Sequence, residues 1–319
     1  MKKYEFTNET MNYFGRTLYR IRALIEIRDD KSNILVRPGD LGGLVEHEDN
    51  LSHESAAWIY GNAMVCDNTR VCNYAVVCDN AKVFGNAEVF GNAKVCDNAE
   101  VYGDARVFGN AMVCDDAEVC DNAVVCDNAL VCDNAVVCDN AKVYGDARIC
   151  DDAVVCDNAL VCDNAKVFGN AEVYGDARIF GNALVCDNAL VYHNALVYDN
   201  AKVYGDARVC DNAEVYGDAR VCDDAKVYGD AEVCDNAEIK KSENFLTIGP
   251  IGSRKDITTF FLTKDNIIKV KCGCFLGTIH EFLSKVESTH GNNKHATVYR
   301  LAVELAKEQI ELNPVNTEY

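Results

Sequence analysis

The sequence predicts a β-solenoid, in which one chain winds into stacked parallel coils, and two observations support this fold class. Residues 59–238 form thirty consecutive six-residue units without insertion or deletion, such as Val101-Tyr-Gly-Asp-Ala-Arg106. A period of six fits neither the 3.6-residue period of a helix nor the two-residue period of a long strand. Each unit therefore needs a short strand and a bend. Three units close one triangular coil of eighteen residues, so thirty units give about ten coils.

The residue preference at each position of the unit fits such a coil. Position one is always Val or Ile, and position five is Ala in every unit except the one with Thr69. We expect both to point inward, and burial of each Val contributes about 1.5–3 kcal/mol. Positions six and two flank position one on the strand and should point outward. Position four is Asn or Asp in all units but one, and these residues predict the corner because they tolerate left-handed backbone.

The chain divides into three predicted regions: a strand-rich N-terminal cap (residues 1–58), the coil stack (59–241) and a small α+β C-terminal domain (242–319). Caps are needed because the end of a solenoid exposes unpaired backbone and apolar interior. In the N-terminal cap, Tyr19 to Ile27 and Asn33 to Val36 are expected to pair across a turn.

The C-terminal domain is expected to contain a hairpin and two helices. Ile257 to Thr263 and Ile267 to Lys271 form the predicted hairpin. Thr278 to His290 has a capping box and an apolar stripe, and Gly291 ends it. The second helix is predicted from Ala296 to Leu312. Its expected inner face comprises Val298, Leu301, Leu305 and Ile310.

The repeat resembles that of the hexapeptide-repeat proteins, which are left-handed parallel β-helices. Residues 17–64 are also similar to the start of uncharacterised bacterial and phage hexapeptide-repeat proteins related to YdcK. The matching segments are Leu18-Tyr-Arg-Ile-Arg-Ala23, Pro38-Gly-Asp-Leu-Gly-Gly43, Asn50-Leu-Ser and Trp58-Ile-Tyr-Gly-Asn-Ala63. The resemblance implies left-handed winding, whereas the general crossover rule predicts right-handed winding. It implies an N-terminal cap and no known chemistry.

The charge distribution restricts the partners that the coils can bind. Residues 59–238 hold 32 acidic and 12 basic side chains, and the flanks are balanced. Direct binding of nucleic acid by the coils is therefore not expected, because that needs phosphate neutralisation. No apolar run suits a transmembrane helix or a signal peptide, so we expect a cytoplasmic protein without membrane contact.

The resemblance implies acyl transfer as a candidate enzymatic function, because many hexapeptide-repeat proteins use an acyl-coenzyme A donor and a histidine base. His193 is the one histidine in the repeats and occupies position three, where Asp or Gly is usual. A base needs an orienting partner and a substrate cleft, and uninterrupted units leave no extruded loop to form one. We interpret His193 as a drifted corner residue and expect no cofactor.

Sixteen of the eighteen cysteines occupy position two, and units eighteen residues apart should stack them into ladders. One predicted ladder contains Cys78, Cys96, Cys114, Cys132 and Cys150. We favour a packing role for these thiols, with soft-metal binding or oxidative cross-linking as alternatives. The residue at position three depends on position two: Asp follows Cys in all units but one, and Gly follows an aromatic residue in all units but two. A ring beside bare Gly backbone is one explanation of the second pattern. The acidic ladders could bind divalent cations, but a solvated acidic surface is favoured.

Two sets of residues in the C-terminal domain are candidate ligand sites. The candidate metal ligands are Cys272, Cys274, His280, His290 and His295. Their spacing matches no zinc pattern, so a structural role is favoured. Gly252, Arg254 and Lys255 form a glycine-containing turn that could bind an anion.

Between Val113 and Lys166 the outward positions become unusually apolar, and we call this segment the belt. An apolar surface of that extent is typical of an interface, so we expect self-association or a protein partner here. The predicted interface residues are Cys114, Cys120, Val124, Cys126, Leu130, Cys132, Val136, Cys138, Val154 and Leu160.

The sequence favours a non-enzymatic scaffold, an acidic rigid rod that presents a C-terminal recognition domain. An acyltransferase that works at subunit interfaces is the first alternative. The second is an acidic decoy that imitates DNA and sequesters a nucleic-acid-binding protein.

Overall fold

The structure is a computed structural model that describes residues 1–29 and 31–312, and the chain divides into two compact units, Met1–Gly175 and Asp176–Tyr319. Each unit contains stacked parallel strands with partners eighteen residues apart, such as Val95 with Val113 in the first and Val203 with Val221 in the second. The predicted β-solenoid is therefore confirmed. No helix among the described residues has the length and apolar character that crossing a bilayer requires.

The first unit begins with five strands and a 3-10 helix. These elements are β1 (Tyr4–Tyr13), β2 (Arg16–Ala23), β3 (Ile27–Arg28), β4 (Ile34–Val36), β5 (Leu41–Val45) and the 3-10 helix Glu48–Asn50. Of the predicted Tyr19 to Ile27 strand, only Ile27 pairs across the turn, with Val36, in the short hairpin of β3 and β4. Tyr19 to Ala23 lie in β2, which pairs with β1 and β5 instead. β5 pairs in parallel with the coil strand that contains Met64. The coil stack therefore starts inside the segment predicted as a cap.

The coil strands of the first unit are two residues long and fall into three sheets, one for each side of the coil. In chain order they are β6–β25: Trp58–Ile59, Met64–Val65, Arg70–Val71, Val76–Val77, Lys82–Val83, Glu88–Val89, Lys94–Val95, Glu100–Val101, Arg106–Val107, Met112–Val113, Glu118–Val119, Val124–Val125, Leu130–Val131, Val136–Val137, Lys142–Val143, Arg148–Ile149, Val154–Val155, Leu160–Val161, Lys166–Val167 and Glu172–Val173.

The interior of the coils is filled as the repeat predicts. Val and Ile at position one and Ala at position five are at most 1% exposed throughout both units. Backbone hydrogen bonds join each coil to the next, as where the Cys96 amide donates to the Val113 carbonyl over 3.0 Å. Burial of these aliphatic side chains and continuous pairing stabilise the stack.

The corner lies one position earlier than the sequence indicated. Position three, not position four, adopts the left-handed conformation, with φ of 63° at Asp79 and 58° at Asp97. Position four instead forms amide ladders, as where the Asn98 side chain donates to the Asp116 carboxylate over 2.9 Å. The assignment of left-handed backbone to position four was wrong because a side chain at that position bonds along the stack and leaves its backbone conventional.

Aromatic side chains at position two stack face to face between coils. The rings of Phe84 and Tyr102 are 4.9 Å apart and within 3° of parallel. A Cβ added at Gly103 would lie 2.7 Å from the Asp121 backbone nitrogen in the next coil. Backbone atoms of the next coil therefore leave little room for a side chain at Gly103. The explanation by the neighbouring aromatic ring stays a prediction.

The second unit contains further coil strands and the C-terminal domain. Its coil strands β26–β36 are Arg178–Ile179, Leu184–Val185, Leu190–Val191, Leu196–Val197, Lys202–Val203, Arg208–Val209, Glu214–Val215, Arg220–Val221, Lys226–Val227, Glu232–Val233 and Glu238–Ile239. The remaining elements are the 3-10 helix Ser242–Asn244, strands β37 (Phe245–Ile251), β38 (Asp256–Leu262), β39 (Ile268–Cys272) and β40 (Phe275–Thr278), and helices α1 (Ile279–His290) and α2 (Lys294–Gln309).

The four strands of the C-terminal domain form an antiparallel sheet in chain order, which confirms the predicted hairpin of β38 and β39. Helix α1 has the predicted capping box, in which Thr278 accepts from the Glu281 amide and the Glu281 side chain accepts from the Thr278 amide. Phe282 and Val286 of α1 are buried in the domain core. The predicted α1 boundaries and stripe are therefore confirmed.

The predicted inner face of α2 is confirmed at Ile310, which is 1% exposed, and differs from the structure elsewhere. Leu301 and Leu305 are 65% and 53% exposed, while Tyr299, Ala302 and Val303 are buried. The sequence favoured the larger aliphatic residues for the core. The close approach of the helix to the sheet instead selects a face of small residues and one aromatic ring.

The C-terminal sheet is attached directly to the last coils. The Lys264 amide donates to the Asn236 carbonyl over 3.1 Å, and Ala237 forms a β-bridge with Thr263. Lys269 forms an ion pair with Asp235, and the Lys271 ammonium lies 2.9 Å from the Glu232 carboxylate. The sheet thus covers the end of the coils and supplies positive charge to an acidic surface.

Candidate functional site

The belt residues lie on all three sides of the coils in the first unit. Cys120 is 6% exposed. The other predicted interface residues are half-buried: Cys114, Val124, Cys126, Leu130, Cys132, Val136, Cys138, Val154 and Leu160. The role of the belt as an interface stays a prediction.

The cysteine ladders form as predicted, but half of the sixteen repeat thiols are buried although position two points outward. Tyrosine rings one coil earlier cover several of them, since Tyr102 precedes Cys120 and Tyr216 precedes Cys234 in their columns. Burial raises the pKa of the Cys120 thiol to about 11. These thiols are therefore protonated packing groups at neutral pH.

His193 occupies a left-handed corner with φ of 59° and a side chain that is 59% exposed. Its Nδ1 lies 3.0 Å from the Asp211 carboxylate of the next coil. The Gly229 amide also donates to that carboxylate, and these two contacts lower the pKa of Asp211, with the amide contact larger. The geometry gives His193 an orienting carboxylate in an open position on the surface.

A pocket of about 160 Å³ lies in the C-terminal domain between the strand turns and the two helices. Arg254 reaches it from the β37–β38 turn, and Lys285 and His290 reach it from α1. The rim therefore brings together two permanent cations and a histidine. A rim of this kind attracts an anionic group.

Aromatic side chains form the walls of this pocket. Phe282 packs edge-to-face on Tyr299 at 5.4 Å between ring centroids and contacts Phe275 at 5.4 Å. Burial raises the pKa of the Tyr299 hydroxyl to about 12, with a further contribution from Cys272. The Tyr299 hydroxyl is therefore a neutral donor inside an apolar wall.

The structure unites some of the predicted ligand residues here and separates others. Arg254, Cys272 and Cys274 line the pocket. Cys274 lies 3.9 Å from the Arg254 guanidinium, and the Thr258 hydroxyl donates to Cys272 over 3.2 Å. These contacts give both thiols protein partners.

His280 lies at the start of α1, beside a second cavity lined by Ile267 and Leu312. Lys255 is exposed with φ of 54°. Gly252 is structural: an added Cβ would lie 1.8 Å from the Tyr299 hydroxyl. The candidate metal ligands therefore do not all meet at one site, and neither do the three candidate anion-binding residues.

Sequence reasoning missed Lys285 and Tyr299 as pocket residues, and it named His290 only as a candidate metal ligand. His290 lines the pocket together with Cys272 and Cys274. Lys285 adjoins Val286, a buried residue of the predicted apolar stripe, and that position was the available signal. Tyr299 was not identified, because the predicted inner face of α2 did not include it.

A groove of about 910 Å³ in the first unit is lined by residues of the 3-10 helix and the first coils, including His53 and Arg70. His53 Nδ1 accepts from the Lys3 amide over 3.2 Å. The buried Lys3 ammonium donates to the Ser55 and Ala57 carbonyls over 3.0 and 2.7 Å, and burial lowers its pKa to about 7. These contacts satisfy the exposed end of the first coil.

No protein-family model matches the chain, and no curated protein matches it in sequence.

Proposed function

We propose that this protein is a non-enzymatic scaffold whose coils hold a C-terminal recognition domain, and that the domain binds an anionic group of a protein partner. The observation that carries the proposal is the cationic rim over an aromatic pocket, formed by Arg254, Lys285 and His290. The attachment of the sheet to the last coils supports the scaffold role. Backbone bonds and the ion pairs of Lys269 and Lys271 hold the domain in place.

The size of the pocket favours a terminal group over a whole small-molecule substrate. Its volume is about 160 Å³, whereas pockets for drug-sized ligands span about 300–1,000 Å³. A carboxylate with a short apolar neighbour fits the rim and the walls together. The free C-terminus of a peptide has this chemistry, since its carboxylate adjoins a side chain.

The proposal is tested with the full chain and a library of peptides that end in an apolar residue, each synthesised with a free and with an amidated C-terminus. Fluorescence polarisation should show binding of free-carboxylate peptides only. Arg254→Gln should weaken binding about tenfold, as expected for a charge-assisted hydrogen bond of about 1.5–3 kcal/mol.

Lys255→Gln is the matched control, because Lys255 is the next residue of the same turn and is absent from the pocket lining. It should leave binding unchanged. A library without a carboxylate-dependent binder, or equal losses in the two variants, would reject the recognition role of the pocket.

We infer that the chain belongs with the hexapeptide-repeat proteins and shares their left-handed winding. The support is the six-residue period of two-residue strands with aliphatic residues at position one. The inferred compartment is the cytoplasm, where eighteen thiols stay reduced. We also infer that the belt is where the scaffold self-associates or binds a protein.

Acyl transfer is retained as a second candidate because the His193–Asp211 pair has the geometry of an oriented base. Turnover of acetyl-coenzyme A that is lost in His193→Ala would support it. Unchanged hydrolysis of the thioester in that variant would count against a base at this position.

A further inference from the structure

Four clusters in the described residues each combine two cysteine thiols from consecutive coils with the aspartate that follows the first cysteine. In each cluster the three ligand atoms lie within 4.8 Å of one another. The clusters are Cys78–Asp79–Cys96, Cys96–Asp97–Cys114, Cys132–Asp133–Cys150 and Cys138–Asp139–Cys156.

The repeat itself creates this arrangement. Val77 pairs in register with Val95, which places the neighbouring Cys78 and Cys96 side by side on one face. The left-handed corner then directs the aspartate side chain along the column, toward the next coil. Asp133 shows the result, because its carboxylate accepts from the Asp151 amide over 3.2 Å and from the Cys132 thiol over 3.4 Å. Backbone pairing therefore fixes both the thiol spacing and the carboxylate direction.

We propose that these cysteine ladders bind thiophilic d10 cations such as Zn²⁺ and Cd²⁺, each held by two thiolates of consecutive coils and one aspartate. Two metal–sulfur bonds of about 2.3 Å at a tetrahedral angle place the sulfurs about 3.8 Å apart. The ligand atoms lie within 4.8 Å of one another, so the side chains close on the ion when it binds. Water completes the coordination, because three protein ligands leave one tetrahedral position open.

Charge and ligand softness determine which ions bind. Two thiolates and a carboxylate carry three negative charges, and residues 59–238 have a net charge of −20, so a dication is attracted. Thiolates select soft or borderline ions, whereas Mg²⁺ and Ca²⁺ prefer oxygen ligands. A thiol loses its proton when it ligates a cation, so metal binding releases protons.

The chain contains an internal control for this proposal. Cys126 occupies the same repeat position, is followed by Asp127 and is half-buried like Cys132. Its column neighbours are Phe108 and Tyr144, which offer no thiol. Cys126 belongs to none of the clusters in the described part of the chain.

The test is titration of the reduced full chain with Cd²⁺ in excess Mg²⁺, which occupies the exposed carboxylates. Thiolate-to-cadmium charge-transfer absorption and the number of bound ions are measured. Cys96→Ser removes the two clusters that share this thiol. It should lower both readouts by about a third where Cys96 serves one ion, and by about half where it bridges two. Cys126→Ser should leave both unchanged.

Cys132→Ser is the second variant, because Cys132 is half-exposed and its substitution removes one cluster. Far-UV circular dichroism establishes that each variant is folded. The proposal is overturned if Cd²⁺ produces no charge-transfer absorption, or if Cys126→Ser loses as much absorption as the two cluster variants.

Discussion

Substitution of two glycines tests how strongly the close approach of consecutive coils at position three restricts the side chain there. Gly103 has φ of 70°, and an added Cβ would lie 2.7 Å from the Asp121 nitrogen. Gly61 has φ of 60°, and its nearest contact is the Asp79 carbonyl oxygen at 3.1 Å. Each glycine follows a tyrosine in the chain, and an aspartate occupies the equivalent position of the next coil. The pair therefore differs mainly in clearance.

We expect Gly61→Ala to cost about 1–2 kcal/mol, the strain of a non-glycine residue in left-handed backbone. Gly103→Ala has the same strain and must also push two coils apart. That movement weakens the bonds from Tyr102 to Val119 and from Asp104 to Asp121, now 3.0 and 2.6 Å. Each is worth about 0.5–1.5 kcal/mol net. The total for Gly103→Ala is about 2–5 kcal/mol.

Urea denaturation followed by far-UV circular dichroism measures the free energy of unfolding of each variant. Repeat proteins can unfold in parts, so amide hydrogen exchange at the two substituted coils should accompany it. Faster exchange should be confined to the coils around Gly103. Equal costs for the two alanines would refute the role of inter-coil clearance and favour the neighbouring aromatic ring as the reason for glycine.

Two further predictions concern buried thiols and the face of α2. Burial raises the pKa of the Cys66 thiol from 9.0 to about 12. The thiol therefore loses its proton at a lower pH in the unfolded chain than in the folded protein. The contribution of this thiol to the free energy of unfolding is complete below pH 9 and is lost as the pH rises toward 12. The loss is about 1.4 kcal/mol per pH unit for this thiol, and a urea midpoint that stays constant from pH 8 to pH 11 would contradict it. In α2, Leu301→Ser should change the free energy of unfolding by less than about 0.5 kcal/mol, while Val303→Ala should cost about 2 kcal/mol through lost methyl burial and a cavity. Thermal denaturation compares them, and a larger loss for Leu301→Ser would mean that this exposed side is covered by a partner.

The solenoid could be predicted because its stabilising contacts recur at a fixed spacing. Val at position one must face inward in every unit, and eighteen-residue pairing follows once three units close a coil. The cysteine columns followed from the same spacing. The left-handed backbone was assigned to position four because Asn and Asp tolerate it. Gly, which occupies position three in twelve units and never position four, was the signal for the correct position.

The candidate pocket was only partly predictable. Arg254, Cys272 and Cys274 stood out from their local sequence, but Lys285 and Tyr299 reach the pocket only after α1 and α2 pack on the sheet. Hydrophobicity alone placed Leu301 in the core, where Tyr299 and small residues lie instead. Which face of a helix is buried depends on the shape of its partner.

The sequence by itself determined the coil, its interior and the columns of like side chains, because these depend on contacts that repeat every six and eighteen residues. Only the tertiary structure decided which thiols are buried, which carboxylates turn toward them and which cations surround the C-terminal pocket. Those features depend on contacts between segments with no shared period, such as Tyr299 against Gly252. Packing geometry, and not residue type, sets such contacts.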